Sequence, residues 1–253
     1  MNAARGPATG DDRHYSYAHY ADRSVAEGFD ALRFGGPIGQ YLLQVQEALL
    51  LEALAPVAGR RVLDVGTGTG RAAIGLAQHG ASVVGVDASA EMLRVASARV
   101  RGVEPHVTFG LADAHALPFA DRSVDAAVSL RVLMHAIDWP RALGELCRVA
   151  RWRVIVDFPA LGSFAALESA ARRLGNVFGR RVEAYRVIAE RDVRRAFAAH
   201  GYRVVIVRRQ FVLPIAFHKR VGRRGFTEGL EGALASMGLL RLLGSPVTMV
   251  AER

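Results

Sequence analysis

The chain has 253 residues, 51% of them hydrophobic, with one cysteine and a formal net charge of +9. That length suits one large α/β domain with a substantial core, and its apolar stretches stop well short of the ~20 residues a membrane-spanning helix requires. Cys147 stands alone, which excludes an internal disulfide and a cysteine zinc site and leaves a packing thiol on a helix.

Residues 1–13 are polar and rich in small residues, without the apolar run of a secretory signal. They read as a disordered tail of a cytoplasmic protein. Residues 14–56 read as amino-terminal helices over Tyr15 to Leu32 and Ile38 to Leu54, with Leu42, Val45, Leu49 and Leu50 at helical spacing. Tyr15, Tyr17, Tyr20, His14 and His19 make the first of these an aromatic and imidazole cluster. Strands follow near 62–65, 82–86, 106–109, 124–129, 153–157, 202–208 and 247–252. Helices near 70–79, 89–101, 140–149 and 190–200 separate most of them. Phe158 to Val187 and Gln210 to Gly244 are long for loops, and Leu230 to Leu243 is apolar at helical spacing. Both stretches are expected to fold as helical additions that wall or cover a site.

The chemistry concentrates in Arg61-Val62-Leu63-Asp64-Val65-Gly66-Thr67-Gly68-Thr69-Gly70, an apolar strand carrying an acid that runs through alternate glycines into a helix. Glycine allows close backbone approach to a ligand and a turn at positive φ, and the following helix aims free N–H groups at a ligand's negative end. A tight turn in an ordinary α/β unit would share that spacing, but two further acids add to it. Asp87 ends the second strand at about the distance where such folds bind ribose hydroxyls. Asp113 lies beyond the third strand, where it can reach an adenine amino group. A nicotinamide site would need G-x-G-x-x-G, and Arg71 occupies the third glycine's place.

These residues, with Ala88-Ser89-Ala90-Glu91-Met92-Leu93, the Asp113-Ala114 pair, Leu117-Pro118-Phe119 and Asp125-Ala126-Ala127-Val128-Ser129, resemble the class I S-adenosylmethionine-dependent methyltransferases. The likeness is greatest to the small-molecule group that includes ubiquinone- and menaquinone-type enzymes (methyltransferase type 11), and covers residues 60 to 150. It implies an α/β, Rossmann-like, seven-stranded and mostly parallel sheet. The core would be residues 60–209 and 245–253, with residues 210–244 a helical insertion before the last strand. It also implies that the backbone of Gly66, Thr67, Gly68 and Gly70 holds the methionine part of the cofactor, with Asp64 orienting the loop or the methionine amino group. By the same likeness Asp87 and Ala88 meet the ribose, Asp113 and Ala114 the adenine, and Leu130 completes the cofactor site together with Tyr20 or His19 of the first helix, for which simple helix packing is the alternative. The relatives' Pro-Gly-Gly turn before strand five is here Ala150-Arg151-Trp152, which leaves the start of that strand open.

His135, just past the fourth strand, is the candidate general base; a structural role at the helix entrance is the alternative. No metal ligand set is expected, because His14 and His19 stand apart from other ligands. Counting charges gives −2 for residues 1–149, +12 for 150–224 and −1 for 225–253. The excess thus lies outside the cofactor half, although 32 arginines beside the single Lys219 also fit codon bias. The expected partner is a small, partly apolar acceptor, amphiphilic or anionic. Peripheral membrane contact is expected through Phe211 to Phe217 and the adjoining Lys219, Arg220, Arg223 and Arg224. Nucleic acid is disfavoured, since no Asn/Asp-Pro-Pro-Tyr follows strand four and Cys147 lies mid-helix. An RNA methyltransferase using the basic half, and a non-catalytic cofactor-binding or partner protein, remain as alternatives.

Overall fold

The computed structural model describes residues 15–100, 106–177 and 185–253. The tail expected at 1–13 and His14 lie outside the described residues. Three helices precede the sheet: α1 (Tyr15–Tyr20), α2 (Arg23–Phe34) and α3 (Gly36–Leu54). Periodicity predicts one helix over 15–32, and the chain breaks it at Asp22. There an extended backbone (φ −75°, ψ 126°) and a carboxylate accepting from the amides of Ser24 and Val25 start a new helix. Pro37 in the first turn of α3 needs no amide partner, which suits the next start.

The strands are β1 (Arg61–Val65), β2 (Ser82–Asp87), β3 (Val107–Leu111), β4 (Val124–Ser129), β5 (Ala150–Phe158), β6 (Arg203–Phe211) and β7 (Ser245–Glu252). They form one sheet in the order β3-β2-β1-β4-β5-β7-β6. The first five run parallel, and β7 is antiparallel to both β5 and β6. This is the expected Rossmann-like α/β class, closed by an antiparallel edge pair. The connecting helices are α4 (Arg71–Gln78), α5 (Ala90–Arg99), α6 (Trp139–Val149), α7 (Phe164–Val177) and α8 (Glu190–Ala199). Between β6 and β7 come α9 (Ile215–Val221), α10 (Arg224–Ser236) and α11 (Leu239–Leu243).

Strand periodicity of two builds a core on each face of the sheet. Leu63 and Val65 of β1 pack with Val154, Val156 and Met249 against Leu143 and Leu146 of α6 and Phe197 of α8. Val62, of the opposite parity, packs with Ala126, Ile155 and Val250 against Leu50 and Leu54 of α3 and Leu76 of α4. Asp64 shares the parity of Val62, so the one acid of this strand is directed toward the α4 side, just below the glycine turn. Strand order reverses between β2 and β4 on either side of β1, and open sheets of this kind bind ligands at that crevice.

The start of strand five is resolved without a turn. The amide of Ala150 still donates to Leu146 while its own backbone is already extended (φ −84°, ψ 139°), so α6 passes directly into β5. A register shift between Val124 and Ala126 absorbs the abrupt change. Cys147 is fully buried in the α6 face, and burial pushes its thiol up to about 12, far from a nucleophile's range.

Candidate active site

The turn between β1 and α4 uses its glycines in different ways. Gly66, Gly68 and Gly70 all have positive φ (71°, 55° and 80°). At Gly66 an added Cβ would lie 2.2 Å from Cγ2 of Val132, whereas at Gly68 it would meet nothing within 4 Å. Gly68 therefore leaves an open approach to the backbone, and Gly66 permits close packing of the loop after β4. Gly70, expected to bind with them, does not line the cavity. It is the left-handed N-cap of α4, and a Cβ there would sit 2.8 Å from Cζ of Phe109.

The donors of this turn are largely used internally. The amides of Gly66 and Thr67 both donate to the Val86 carbonyl (2.7 and 2.9 Å), Gly68 to Oδ2 of Asp87 (2.8 Å) and Gly70 to the Thr67 carbonyl (2.9 Å). Ala73, in the first turn of α4, donates to Asp64. Neighbouring oxygens thus take up the amides of Gly66, Thr67, Gly68 and Gly70 in the turn and that of Ala73 in the helix. What faces the cavity is acidic.

Asp64 is 2% exposed and accepts from Oγ1 of Thr67 at 2.6 Å. Burial pushes its carboxyl up to about 6, opposed by the Thr67 hydrogen bond and reinforced by the charge of Asp87. Burial likewise raises Asp87, against hydrogen bonds from Ser89, Gly68 and Ala88 that favour its ionised form. Each Asp87 oxygen takes one of the 2.8 Å amide bonds from Gly68 and Ser89, which leaves lone pairs on both for hydroxyl donors. Asp113 behaves oppositely. Burial would raise it, but hydrogen bonds from the His115 ring (2.7 Å), the His115 amide (2.8 Å) and the Tyr17 hydroxyl (2.9 Å) hold it at about 2.

These groups face one cavity of about 640 Å³, within the ~300–1,000 Å³ typical of small-molecule sites. Asp64, Gly66, Thr67, Gly68, Asp87 and Ala88 line one part of it; Asp113, Ala114, Leu130, His135 and Tyr20 also face in. Tyr20 stands edge-on to His135, with centroids 5.8 Å apart, and its carbonyl accepts from Oγ of Ser89 at 2.6 Å. His19 is exposed and lies away from the cavity. Thus α1 is tied over the site by Tyr17 and Tyr20 rather than by its imidazole.

Sequence reading missed several parts. Asp30 of α2 accepts from Nε of Arg71 at 2.7 Å and from Oγ1 of Thr69 at 2.9 Å, and pairs with Arg99, so it docks α2 onto the glycine turn. Arg71, which occupies the rival fingerprint's third glycine position, is thus an ionic tie. After β4, Arg131 adopts φ 63° and gives its amide and Nε to the fully buried Asp157 on β5. No short-range signal marks that pair, although an acid at the end of a buried strand is itself a cue. The second part of the cavity is apolar, with Phe29, Phe34, Leu42, Val212 and Ile215 among its walls.

The basic run after β6 does not act together. The Lys219 ammonium donates to the carbonyls of Leu32 and Arg33 (2.7 and 2.8 Å), and Arg224 pairs with Glu228 and Gln44 over the Tyr41 ring. Arg220 and Arg223 are exposed. Beneath them, His218, Thr227 and Glu231 form a buried polar group in which Glu231 also accepts from the amides of Val212 and Leu213. Among the described residues no helix is long and apolar enough to cross a membrane, and no group of three or more His, Cys, Asp or Glu is placed to hold a metal.

Residues 63–154, which run from β1 into β5, match the family described as Methyltransferase domain. That segment, which carries the glycine turn with Asp64, Asp87 and Asp113, is where the chain is similar to methyltransferases. Over 105 residues it is 44% identical to Methyltransferase GfsG of Streptomyces halstedii, covering 40% of this chain and 38% of that protein. It is 41% identical over 108 residues to the demethylmenaquinone methyltransferase of Clavibacter sepedonicus, covering 43% and 44%. The matches therefore span only about two fifths of these relatives' length. The magnesium protoporphyrin IX methyltransferase of Synechocystis PCC 6803, solved with bound SAH, superposes with a TM-score of 0.65 at 21% identity. That superposition covers 96% of this chain and 100% of the other, and extends the shared fold beyond the matched segment. Within the matched segment, the residues would fit S-adenosylmethionine on two counts: the open backbone at Gly68 and the inward carboxylates of Asp64 and Asp87.

Proposed function

We propose that this chain transfers a methyl group from S-adenosylmethionine to a small, partly apolar acceptor, chiefly by holding the two in line. The observation that carries this reading is the electronegative turn. The amides of Gly66, Thr67, Gly68 and Gly70 are already bonded and the carboxylates of Asp64 and Asp87 face the cavity, which suits a cofactor carrying ammonium and sulfonium charges and hydroxyls better than a pyrophosphate. When bound, the cofactor supplies an activated methyl group, so the chain mainly positions. Asp64 and the turn hold the methionine part, Asp87 the ribose, and Asp113, Ala114 and Leu130 the adenine end, while Tyr20 and Tyr17 fasten α1 across the top. Fixing donor and acceptor in near-attack geometry can supply roughly 7–11 kcal/mol.

Removing the Asp87 carboxylate tests the donor site. Asp87→Ala should weaken S-adenosylmethionine binding by about 1.5–3 kcal/mol, or roughly 10- to 150-fold in Kd, as for other hydrogen bonds to a charged group. Calorimetry on the folded variant measures it, and an unchanged Kd removes Asp87 from the site.

His135 lines the same cavity, which supports a role there either as a base or as part of the wall. As a base, its loss in His135→Ala should lower the rate at saturating acceptor by ~10²-fold or more while cofactor affinity holds. As a wall residue packed on Tyr20, its loss should instead lower the melting temperature and spare the rate per folded molecule. Full activity with unchanged melting excludes both roles.

A small acceptor is favoured over RNA by what the basic half does. Arg151, Arg153, Arg172, Arg208, Arg209 and Arg224 are each paired with a carboxylate, which leaves less of the +12 excess for phosphate contacts.

A further inference from the structure

We propose that the acceptor carries a hydrocarbon tail, and that this tail leaves the main cavity between Gln46 and Ala72 to lie in a second recess between α3 and α4. This rests on the methyl-transfer reading for the identity of the ligand as acceptor, and on separate geometry for its tail. The recess measures about 270 Å³ and is walled by Leu43, Leu50 and Leu51 of α3 and by Ile74, Gly75 and Leu76 of α4. Glu47, Gln78 and Arg99 also border it, but they are exposed and keep their polar ends in water. Gln46, Arg71 and Ala72 line both spaces, so the recess adjoins the cavity. On the cavity side this border is apolar: Leu42 precedes Gln46 by one helical turn, and the Phe34 ring lies under the Arg71 guanidinium.

The groups at the border differ in how firmly they are held. Nε of Arg71 is bonded to Asp30 at 2.7 Å and its guanidinium stands 4.8 Å from the Phe34 centroid, which fixes that side chain. Gln46 is half-buried and makes no hydrogen bond among the described residues, so it can swing aside and open the passage without breaking one. Gly75 supplies the second observation. Glycine inside a helix is less favourable than alanine, and local geometry does not ask for it here. Its φ is not positive, and an added Cβ would meet only the Glu47 carboxylate, at 3.3 Å, the end of a flexible side chain. What the glycine does is leave the α4 wall of the recess without a side chain. Leu43, Leu51 and Ile74 stay partly exposed along that space, and a hydrocarbon chain lying there would remove them from water. Continuity with the apolar part of the main cavity assigns the recess to the acceptor's own tail.

1-Hexanol, 1-octanol, 1-decanol and 1-dodecanol, titrated by calorimetry into the full chain saturated with S-adenosylhomocysteine, keep the head group constant and vary only length. Wild-type affinity should rise about 4-fold per added methylene through dodecanol. Gly75→Leu and Leu43→Trp fill the recess from α4 and from α3. In both, hexanol should bind as in the wild type, while the gain should stop at the longer chains and leave dodecanol about 10-fold or more weaker than in the wild type. Gly75→Ala, which adds one methyl group, should keep most of the gain. S-adenosylhomocysteine affinity should hold in all three variants, which also certifies folding, and if one filling variant fails to fold the other decides. Wild-type affinity that stops growing at octanol, or dodecanol binding unchanged in both filling variants, overturns the proposal. So does a wild-type dimer in sedimentation that Gly75→Leu dissociates, which gives the recess to a second copy of the chain. Wild-type protein that shows the gain with length but does not bind S-adenosylhomocysteine keeps the tail recess and sinks the methyltransferase reading instead.

Discussion

Gly66→Ala is expected to be among the most damaging single substitutions in the site. Its backbone has φ 71°, where a side chain costs ~1–2 kcal/mol, and the new Cβ would stand 2.2 Å from Cγ2 of Val132, an overpacking that typically costs about 1–3 kcal/mol more. The sum is about 2–5 kcal/mol of stability. Because the clash joins the turn after β1 to the loop after β4, relief by movement would open the cofactor site, so binding should fall with stability. Gly68→Ala is the control: φ is 55°, but nothing lies within 4 Å of its Cβ, so only the backbone cost applies to folding. Urea unfolding should rank Gly66→Ala well below Gly68→Ala, and Val132→Ala in the Gly66→Ala background should recover part of the loss. Equal stability of the two glycine variants would disprove the packing role.

Asp157→Ala should cost about 3 kcal/mol, the low end of the range for breaking a buried pair, because the partner Arg131 side chain is 34% exposed and keeps some solvation. The carboxylate is itself completely buried and accepts from both the amide and Nε of Arg131. These two bonds also hold Arg131 at φ 63°, a conformation that side chains other than glycine seldom adopt. Losing them should loosen the segment that carries Leu130, Val132 and His135 into the cavity. Arg131→Gly removes the stranded charge and accepts the backbone, so Asp157→Ala/Arg131→Gly should be more stable than Asp157→Ala. Thermal unfolding of the three variants checks the order; a double variant weaker than Asp157→Ala would show that the pair does not hold this loop.

Much of the site was legible because its signals are short-range. Asp64 and Asp87 lie at the carboxyl ends of strands whose apolar runs declare themselves, Gly66, Gly68 and Asp113 lie just past such ends, and a parallel sheet brings these ends to one edge. Tyr20 was legible as a candidate from the first helix, with His19 as its alternative. Its neighbour His19 differs from it by one helical step and points outward, and periodicity alone does not choose between them. Gly70 was misplaced among the ligand-facing glycines, since alternation suggests equivalence where the backbone turns the third into a helix cap.

By itself the sequence determined the class of sheet, the strand–glycine–helix unit and the acids at or just past the carboxyl ends of β1, β2 and β3. Burial periodicity and turn chemistry are local properties, and they survive without knowledge of partners. Only the tertiary structure decided how those groups are charged and satisfied. That the turn's amides are spent on Val86 and Asp87, that Asp30 anchors Arg71, and that Asp157 fixes Arg131 all depend on residues from other elements. The basic run shows the same division most sharply: one segment reads as a single positive patch. Yet Lys219 turns inward to the end of a helix 186 residues earlier in the chain, while Arg220 and Arg223 stay exposed. An ammonium's environment is set by what packs around it, and at such a separation no pattern along the chain encodes it.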